Sequence, residues 1–308
     1  MKHPLLSSAQ ISRRDFLLTC GRLGLLAGAG AFLGSTVLRA EEAVMEDVPP
    51  TLMLHSRDNV YAFQNTLIKK LKLNNYTTTT YLAWEQAIAA GTPHDRAVIL
   101  TIDDISMAHG NRSFASFRQM YETYKAAGMV TVFAVITRPD LPQDEAKWDE
   151  VADWVREGFE LATHTSYHTN LSLTDSTPRP DLTEADYTAE IVDSAKLIEE
   201  KMQARGIDYK VRTLVTPFGS GYSHAQPIHE IHPGVVTACA KTNIKFVVGM
   251  VAGKLPIERA SMEPGHDELV YLGRTPPFYD KDSAGKDVPQ GEHTFGYLNH
   301  WYEVKGDI

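Results

Sequence analysis

Two alternating patterns of apolar residues run along most of the chain. Short runs of aliphatic and β-branched residues predict strands, and segments with apolar residues every three or four positions predict helices. The predicted strands cover residues 50–55, 76–82, 97–104, 129–136, 159–164, 211–219, 244–251 and 268–274. The predicted helices cover residues 60–73, 83–91, 148–158, 183–206 and about 228–242, with one more that ends at Gly128. Strands and helices therefore alternate along the chain.

The order of these elements predicts an α/β fold. Strands that are apolar along their whole length are buried on both faces, and a helix after each strand is typical of a parallel sheet. Seven or eight such units favour a distorted (β/α)7–8 barrel. An open doubly wound sheet is the alternative, but it would need a glycine-rich phosphate loop after an early strand, and the sequence contains none. The polar segment from about residue 276 predicts an irregular C-terminal tail.

The first forty residues differ from the rest and predict a secretory signal. Arg13 and Arg14 precede an apolar stretch rich in glycine and alanine, and Ala40 supplies a small residue for cleavage. The paired arginines favour the bacterial twin-arginine (Tat) route, and hence a periplasmic or extracellular protein. A membrane anchor is the alternative, although the glycine content and the cleavage site favour removal. Residues 41–308 would then form one mature domain without a further stretch apolar enough to span a membrane.

Composition narrows the classes of partner. Hydrophobic residues make up 43% of the chain and charged residues 22%, which is typical of a globular protein. The net charge is −9, and removal of a signal that carries +4 leaves −13, so nucleic acid and anionic membranes are both unfavourable partners. Cys239 is the single cysteine of the predicted mature chain, which therefore has no intrachain disulfide. Its apolar surroundings predict a buried thiol rather than a nucleophile.

Polar residues gather where the predicted strands end. They are His55, Asp103, Asp104 and His164, and the turn at Pro217 and Phe218 lies at the end of a strand as well. Because the carboxyl ends of the strands of a β/α barrel meet on one face, we expect these residues to lie on that face, where the active sites of such barrels are found.

Two pairs among these residues have chemistry of their own. Asp103 and Asp104 follow a buried strand, and a buried carboxylate needs a cationic partner because an unpaired one is costly. One acid could bind a metal while the other moves a proton, or the pair could cap a helix or form a turn. His164 and His168 have the spacing that places two imidazoles on one helical face, although many such pairs lie on the surface. Two histidines and one carboxylate would suit a borderline divalent cation and leave positions open for water and substrate.

Three motifs together resemble the NodB-type polysaccharide deacetylases of carbohydrate esterase family 4. They are "LTIDD" at residues 100–104, "HTSYH" at 164–168 and "TPFG" at 216–219. The segments 124–136 and 155–168, which frame the last two predicted strands before the metal site, resemble the family as well. The resemblance extends over about residues 51–275. The opening "TLMLH" is similar to the subgroup that acts on exported poly-N-acetylglucosamine, in which the histidine of this first strand replaces a C-terminal one. The resemblance implies the NodB type of distorted barrel and a polysaccharide substrate.

The resemblance also implies a metal centre and a base. Asp104, His164 and His168 would bind a divalent ion, with zinc expected and cobalt, nickel or iron as alternatives. Asp103 would act as the general base that takes a proton from the attacking water. Arg274 is similar to a late arginine of the subgroup, and it would supply a charge near that base at the substrate-binding site.

The remaining implied roles concern the substrate. The backbone N–H of Phe218, after Pro217 at the substrate-binding site, would help to hold the oxyanion. His55 would protonate the leaving amine as the general acid. The products would be acetate and a glucosamine-type amine.

Three positions depart from the family pattern. Ile102 stands where an aromatic residue is usual, Ile105 where a glycine is usual, and Val215 where many members carry an arginine that orients the base. A NodB-like amidase acting on a small molecule and a non-catalytic carbohydrate-binding relative therefore remain as alternatives to a metal-dependent N-deacetylase. The first alternative also reflects the lack of an obvious sugar platform in the sequence.

Overall fold

A computed structural model describes residues 49, 51–54, 61–92, 96–110, 114–171, 182–223, 230–250, 257–260, 269–274, 279–281 and 287–289. All of them belong to the unit Val48–Ile308. The predicted signal over residues 1–40 and the predicted general acid His55 lie outside the described residues, as does most of the tail from about residue 276.

Thirteen strands are present in the described part of the chain. They are β1 Thr51–Leu54, β2 Thr77–Thr79, β3 Ala97–Ser106, β4 Val132–Ile136, β5 Glu160–Thr163, β6 Thr213–Val215, β7 Tyr222–Ser223, β8 Glu230–Ile231, β9 Phe246–Met250, β10 Ile257–Ala260, β11 Leu269–Arg274, β12 Tyr279–Lys281 and β13 Asp287–Pro289.

Seven of these strands form the parallel sheet that was predicted. They lie side by side in the order β1, β3, β4, β5, β6, β9, β11, and the first and last of them also contact each other. Strands added in chain order in one direction, with the two ends meeting, make a nearly closed barrel, whereas a doubly wound sheet reverses its order halfway. The predicted distorted (β/α) barrel is thus confirmed. β2 adds to β3 in parallel, and β10 adds to β11 in antiparallel orientation.

Helices follow most of the strands. They are α1 Tyr61–Leu73, α2 Tyr81–Ala89, α3 Phe114–Ala126, α4 Glu145–Arg156, α5 Glu184–Tyr187, a π-helical turn Thr188–Val192, α6 Asp193–Gln203, a 3-10 turn Pro217–Gly219 and α7 Pro233–Cys239. None of the helices that the structure describes has the length and apolar character that a bilayer crossing requires.

Capping side chains determine where several helices begin. The hydroxyl of Thr183 accepts a hydrogen bond from the N–H of Asp186, and the carboxylate of Asp186 accepts one from the N–H of Thr183, so the predicted cap forms a complete capping box. The helix predicted from about residue 228 begins only at Pro233. Proline keeps the preceding His232 out of the helical region, and the proline itself fits the first helical position.

The helices pack on the sheet through aromatic rings. Trp154 of α4 stacks on Phe114 and Tyr121 of α3, and its ring also contacts Phe133 of β4. Trp148 on the same helix is fully buried, so both tryptophans are packing residues. Cys239 is buried, and burial raises the pKa of its thiol well above the usual value, which agrees with an inert thiol.

A buried carboxylate lies at the amino end of β5. Glu160 accepts hydrogen bonds from the N–H of Leu82, in the first turn of α2, and from the hydroxyl of Thr213 on β6. Burial raises the pKa of Glu160, and these hydrogen bonds offset only part of that rise. Glu160 therefore joins one helix and two strands at the opposite end of β5 from the histidines.

Candidate functional site

A bulge in β3 places two carboxylates on the same rim of the barrel. The strand was predicted to stop at Asp104, but it runs on to Ser106. Its pairing with β4 shifts between Ile102 and Ile105, and Asp104 has a positive φ of 71°. Simple alternation would send the two acids to opposite faces, whereas a bulge re-aims the side chains of the strand. Both carboxylates consequently approach His164, Asp103 to 4.0 Å and Asp104 to 3.4 Å from Nε2.

The two histidines lie on a loop, not on the helical face that their spacing suggested. The loop follows β5 and contains two residues in the left-handed region, Thr165 with φ 65° and His168 with φ 58°. These turns bring the imidazole rings of His164 and His168 to 4.9 Å between centroids. A positive φ is unfavourable for a β-branched residue such as Thr165, so contacts around the loop must hold it in this conformation.

Asp104, His164 and His168 together form a compact set of ligand atoms. One carboxylate oxygen and two ring nitrogens all lie within 4.8 Å of one another. The Oδ1 atom of Asp104 is 3.4 Å from Nε2 of His164 and 3.1 Å from Nε2 of His168. His164 is almost fully buried, whereas Asp104 and His168 are partly open to solvent. The set therefore has a fixed inner side and an accessible outer side.

The hydrogen bonding of His164 tests whether these residues suit a metal. Its Nδ1 lies 2.7 Å from the carbonyl oxygen of Val215, which can only accept, so Nδ1 carries the proton and Nε2 of the neutral ring holds a lone pair. That lone pair points toward an oxygen of Asp104, another acceptor. Convergent acceptors need a cation or added protons between them, and a backbone carbonyl behind the histidine is typical of metal-binding imidazoles. The donor set fits a divalent ion of the zinc type.

The electrostatics of Asp104 agree with this arrangement. Burial alone would raise the pKa of its carboxyl, but whenever His164 and His168 are protonated, their hydrogen bonds and opposite charge outweigh that effect. The pKa of Asp104 therefore lies well below its usual range, and the group is an anion at neutral pH.

Asp103 has a different partner. Arg274, at the end of β11, donates to both of its carboxylate oxygens, each at 2.6 Å. The same guanidinium donates to the hydroxyl of Thr101 at 2.8 Å. Asp103 and Arg274 are 3% and 1% exposed, so the pair is shielded from screening by water. The cationic partner that the buried Asp103 requires is thus Arg274, which the family resemblance placed near this residue.

The ion pair between Arg274 and Asp103 also bears on Val215, which stands where many members of the family carry an arginine. Val215 has no charge to offer Asp103, but Arg274 approaches the same carboxylate from the end of β11. Val215 contributes its main-chain carbonyl to His164 instead. The missing arginine of the motif is therefore offset by one from another strand.

The turn after β6 completes the rim. Pro217 is buried, and Phe218 follows it with φ 58° in the 3-10 turn. The ring of Phe218 is 62% exposed and lies edge-on to His168 at 4.7 Å between centroids. Tyr167, the residue before His168, is 42% exposed, and the guanidinium of Arg138 lies 5.9 Å from the Tyr167 ring. The exposed ring of Phe218 therefore borders the candidate metal ligands.

The structure thus brings together most of the predicted site. Asp103, Asp104, His164 and His168 form its centre, and Arg274 with Phe218 border them, while His55 lies outside the described residues. Sequence reasoning missed the supporting residues Thr101, Ser166, Tyr167 and Glu190. Glu190 had a signal, because an acidic residue stood on the apolar face of a predicted helix.

Comparisons with known proteins agree with this geometry. Residues 90–230 match the family model described as polysaccharide deacetylase. The solved structure of the Streptococcus pyogenes deacetylase PplD in complex with acetate has a TM-score of 0.50 and 18% identity, covering 74% of this chain and 91% of that one. At that identity the likeness shows the fold alone. No curated protein sequence matches the chain.

The matched segment contains the bulge of β3, the histidine loop and the turn after β6, which carry the three motifs. Over residues 90–230 the chain is therefore similar to the polysaccharide deacetylase family, as its motifs predicted.

Proposed function

We propose that this protein is a divalent-metal-dependent N-deacetylase that acts on an N-acetylglucosamine-containing polysaccharide outside the cytoplasm. The single observation that carries the proposal is the convergence of Asp104, His164 and His168 beside a second carboxylate, Asp103, which is held in an ion pair. The reaction is hydrolysis of an acetamide, in which water adds to the carbonyl carbon and the C–N bond breaks, giving acetate and a free amine.

Asp104, His164 and His168 would hold the ion. When bound, a divalent cation supplies Lewis acidity, which polarises the acetamide carbonyl and lowers the pKa of water. The open side of the ligand set, formed by the partly exposed Asp104 and His168, leaves room for substrate.

Asp103 would accept the proton of the attacking water. Its carboxylate lies 4.0 Å from the metal-ligand nitrogen of His164, close enough to serve the same reaction centre. Arg274 keeps the carboxylate in one orientation and stabilises its ionised form. The N–H of Phe218 would donate to the carbonyl oxygen as negative charge develops there, and His55 would protonate the leaving amine.

The exposed rings support a carbohydrate substrate. Among the described residues, four large apolar side chains are exposed, and two of them are Phe218, whose ring packs on His168, and Tyr167, the residue before His168 in the chain. Aromatic rings that present a face to solvent beside a catalytic centre can pack on the apolar face of a pyranose ring. These rings supply the sugar platform that was not obvious in the sequence, and they favour a glycan over a small amide.

The proposal is tested by acetate release from N-acetylglucosamine oligomers in the presence of Zn²⁺, Co²⁺ or Ni²⁺. The wild-type protein should release acetate, and Asp103→Asn should release far less while it still binds the metal. Release from small acetamides but not from oligomers would replace the glycan with a small-molecule substrate. Binding of oligomers without any release would identify a non-catalytic carbohydrate-binding protein.

Export is proposed from the sequence of the first forty residues. Arg13 and Arg14 favour the Tat pathway, which transports folded proteins, and a periplasmic or extracellular site would give access to an exported glycan. Replacement of both arginines by lysine in a bacterial host should retain the protein in the cytoplasm. Unchanged export would contradict the Tat assignment and leave the enzymatic proposal intact.

A further inference from the structure

A buried glutamate lies next to the loop that connects the two histidines. Glu190 falls on the apolar face of its helix, between Tyr187 and Ile191 on one side and Ser194 on the other, and it is 5% exposed. A carboxylate at such a position is unfavourable unless it is hydrogen-bonded. Its partner is the N–H of Tyr167, which donates to Oε2 at 3.0 Å.

The helix is locally widened at this glutamate. In the π-helical turn Thr188–Val192 the N–H of Asp193 donates to the carbonyl of Thr188, five residues earlier. Two consecutive carbonyls of this turn accept from Ser166: that of Ala189 from its hydroxyl at 2.6 Å, and that of Glu190 from its N–H at 3.0 Å. π-Helical turns of this kind are frequent at functional sites.

Glu190 consequently holds the histidine loop at two points, through its main-chain carbonyl and its side chain. Both points lie between His164 and His168, in the segment whose conformation is set by the positive φ of Thr165 and of His168. Main-chain bonds from the end of β4 hold the other side of the same loop, with the N–H of Arg138 donating to the carbonyl of Ser166 at 2.9 Å. The side chain of Glu190 is the part of this support that a substitution can remove.

We infer that Glu190 is a positioning residue for the metal centre, which sets the relative placement of His164 and His168 by fixing Ser166 and Tyr167. The inference rests on the proposed metal-binding function of these histidines. Without the hydrogen bond from the Tyr167 N–H, the loop can relax toward ordinary backbone angles. The ring nitrogens of His164 and His168 then no longer point at one common site. Groups that orient metal ligands typically contribute 10- to 100-fold in metal affinity.

A matched control exists on the same helix. Glu199 of α6 accepts a hydrogen bond from the N–H of Val211 at 3.0 Å and another from Asn243 at 3.1 Å. Glu199→Ala thus removes the same kind of carboxylate-to-backbone bond, but at a loop remote from the histidines. It reports what a purely structural loss does to the protein.

The experiment is zinc titration of the metal-free protein by calorimetry, together with thermal unfolding in the absence of metal. Glu190→Ala should raise the zinc Kd by about 10- to 100-fold, whereas Glu199→Ala should leave it within about threefold. Glu190→Gln keeps an oxygen acceptor for the Tyr167 N–H, so it should raise the Kd less than Glu190→Ala does. If Glu190→Ala does not fold, Glu190→Gln is compared with Glu199→Gln instead, and a larger zinc Kd for Glu190→Gln is expected.

The outcomes separate the inference from the function on which it rests. Equal zinc affinity for the wild type and both Glu190 variants would overturn the positioning role while the metal centre stands. An equal loss of affinity in the Glu199 control would overturn it too, because general loosening would then explain the effect. A wild-type protein that binds no zinc, cobalt or nickel would remove the metal centre itself, and the inference with it.

Discussion

Arg274 donates to both carboxylate oxygens of Asp103 in the buried interior of the barrel rim, although 171 residues separate the two along the chain. β11 and β3 lie near each other because the sheet almost closes, with β1 between them. The barrel thereby supplies Asp103, the proposed base, with a charge that the motif around Val215 lacks.

The first prediction concerns this ion pair. Arg274→Met leaves Asp103 buried without a counter-charge, so the free energy of unfolding should fall by about 3 kcal/mol. The loss of a fixed orientation for the base should lower kcat roughly 100-fold. Urea unfolding and acetate release measure the two effects.

A double variant serves as the control for Arg274. Arg274→Met combined with Asp103→Asn removes both charges, so it should recover much of the stability lost in Arg274→Met and remain inactive. If the single and double variants are equally unstable, the cost comes from packing around the arginine and the charge-pair explanation fails.

The second prediction concerns the metal ligands. Removing a direct ligand should cost at least as much as removing a group that merely orients one, so Asp104→Asn and His168→Ala should each weaken zinc binding by about 100-fold or more. Chelation of the wild-type protein should abolish acetate release, and added zinc should restore it. Retention of wild-type zinc affinity by both variants would show that the ion binds elsewhere.

The third prediction concerns Phe218. Its exposed ring touches His168 and faces solvent, so Phe218→Ala should raise KM for oligomers about fivefold, which corresponds to roughly 1 kcal/mol of lost ring contact. The N–H of residue 218 is retained in this variant, so kcat should change little. Phe218→Trp should preserve KM. A large fall in kcat with KM unchanged would show that the ring acts on the reaction centre rather than on substrate binding.

The fourth prediction concerns pH and Glu160. Burial raises the pKa of this carboxyl in the folded protein, so the folded state binds its proton more tightly than the unfolded state does. The stabilisation is complete below the unfolded pKa and is lost as pH rises through the folded pKa. Glu160→Gln cannot ionise and lacks this dependence.

The test for Glu160 is the difference in free energy of unfolding between the wild type and Glu160→Gln, measured by urea unfolding between about pH 4 and pH 8. The difference should become less favourable to the wild type as pH rises. A difference that stays constant would show that folding leaves the pKa of Glu160 unchanged, and a difference that changes in the opposite direction would show that folding lowers it.

Local sequence determined the elements and the chemistry of this protein. Apolar runs and three-to-four spacing are properties of neighbouring residues, so they predicted the barrel strands and most helices. The predicted start of one helix, at about residue 228, was wrong, because the helix begins only at Pro233 and this single residue outweighed the apolar pattern. The motifs around Asp103, His164 and Phe218 identified the site for the same local reason.

Only the tertiary structure decided how these groups meet. The bulge in β3 depends on pairing with β4, and it turns two acids that alternation would separate toward one histidine. Arg274 reaches Asp103 because the barrel nearly closes, and Glu190 reaches Tyr167 because a helix widens against a loop. Such contacts join residues far apart in the chain, and no local pattern encodes a distance across a sheet.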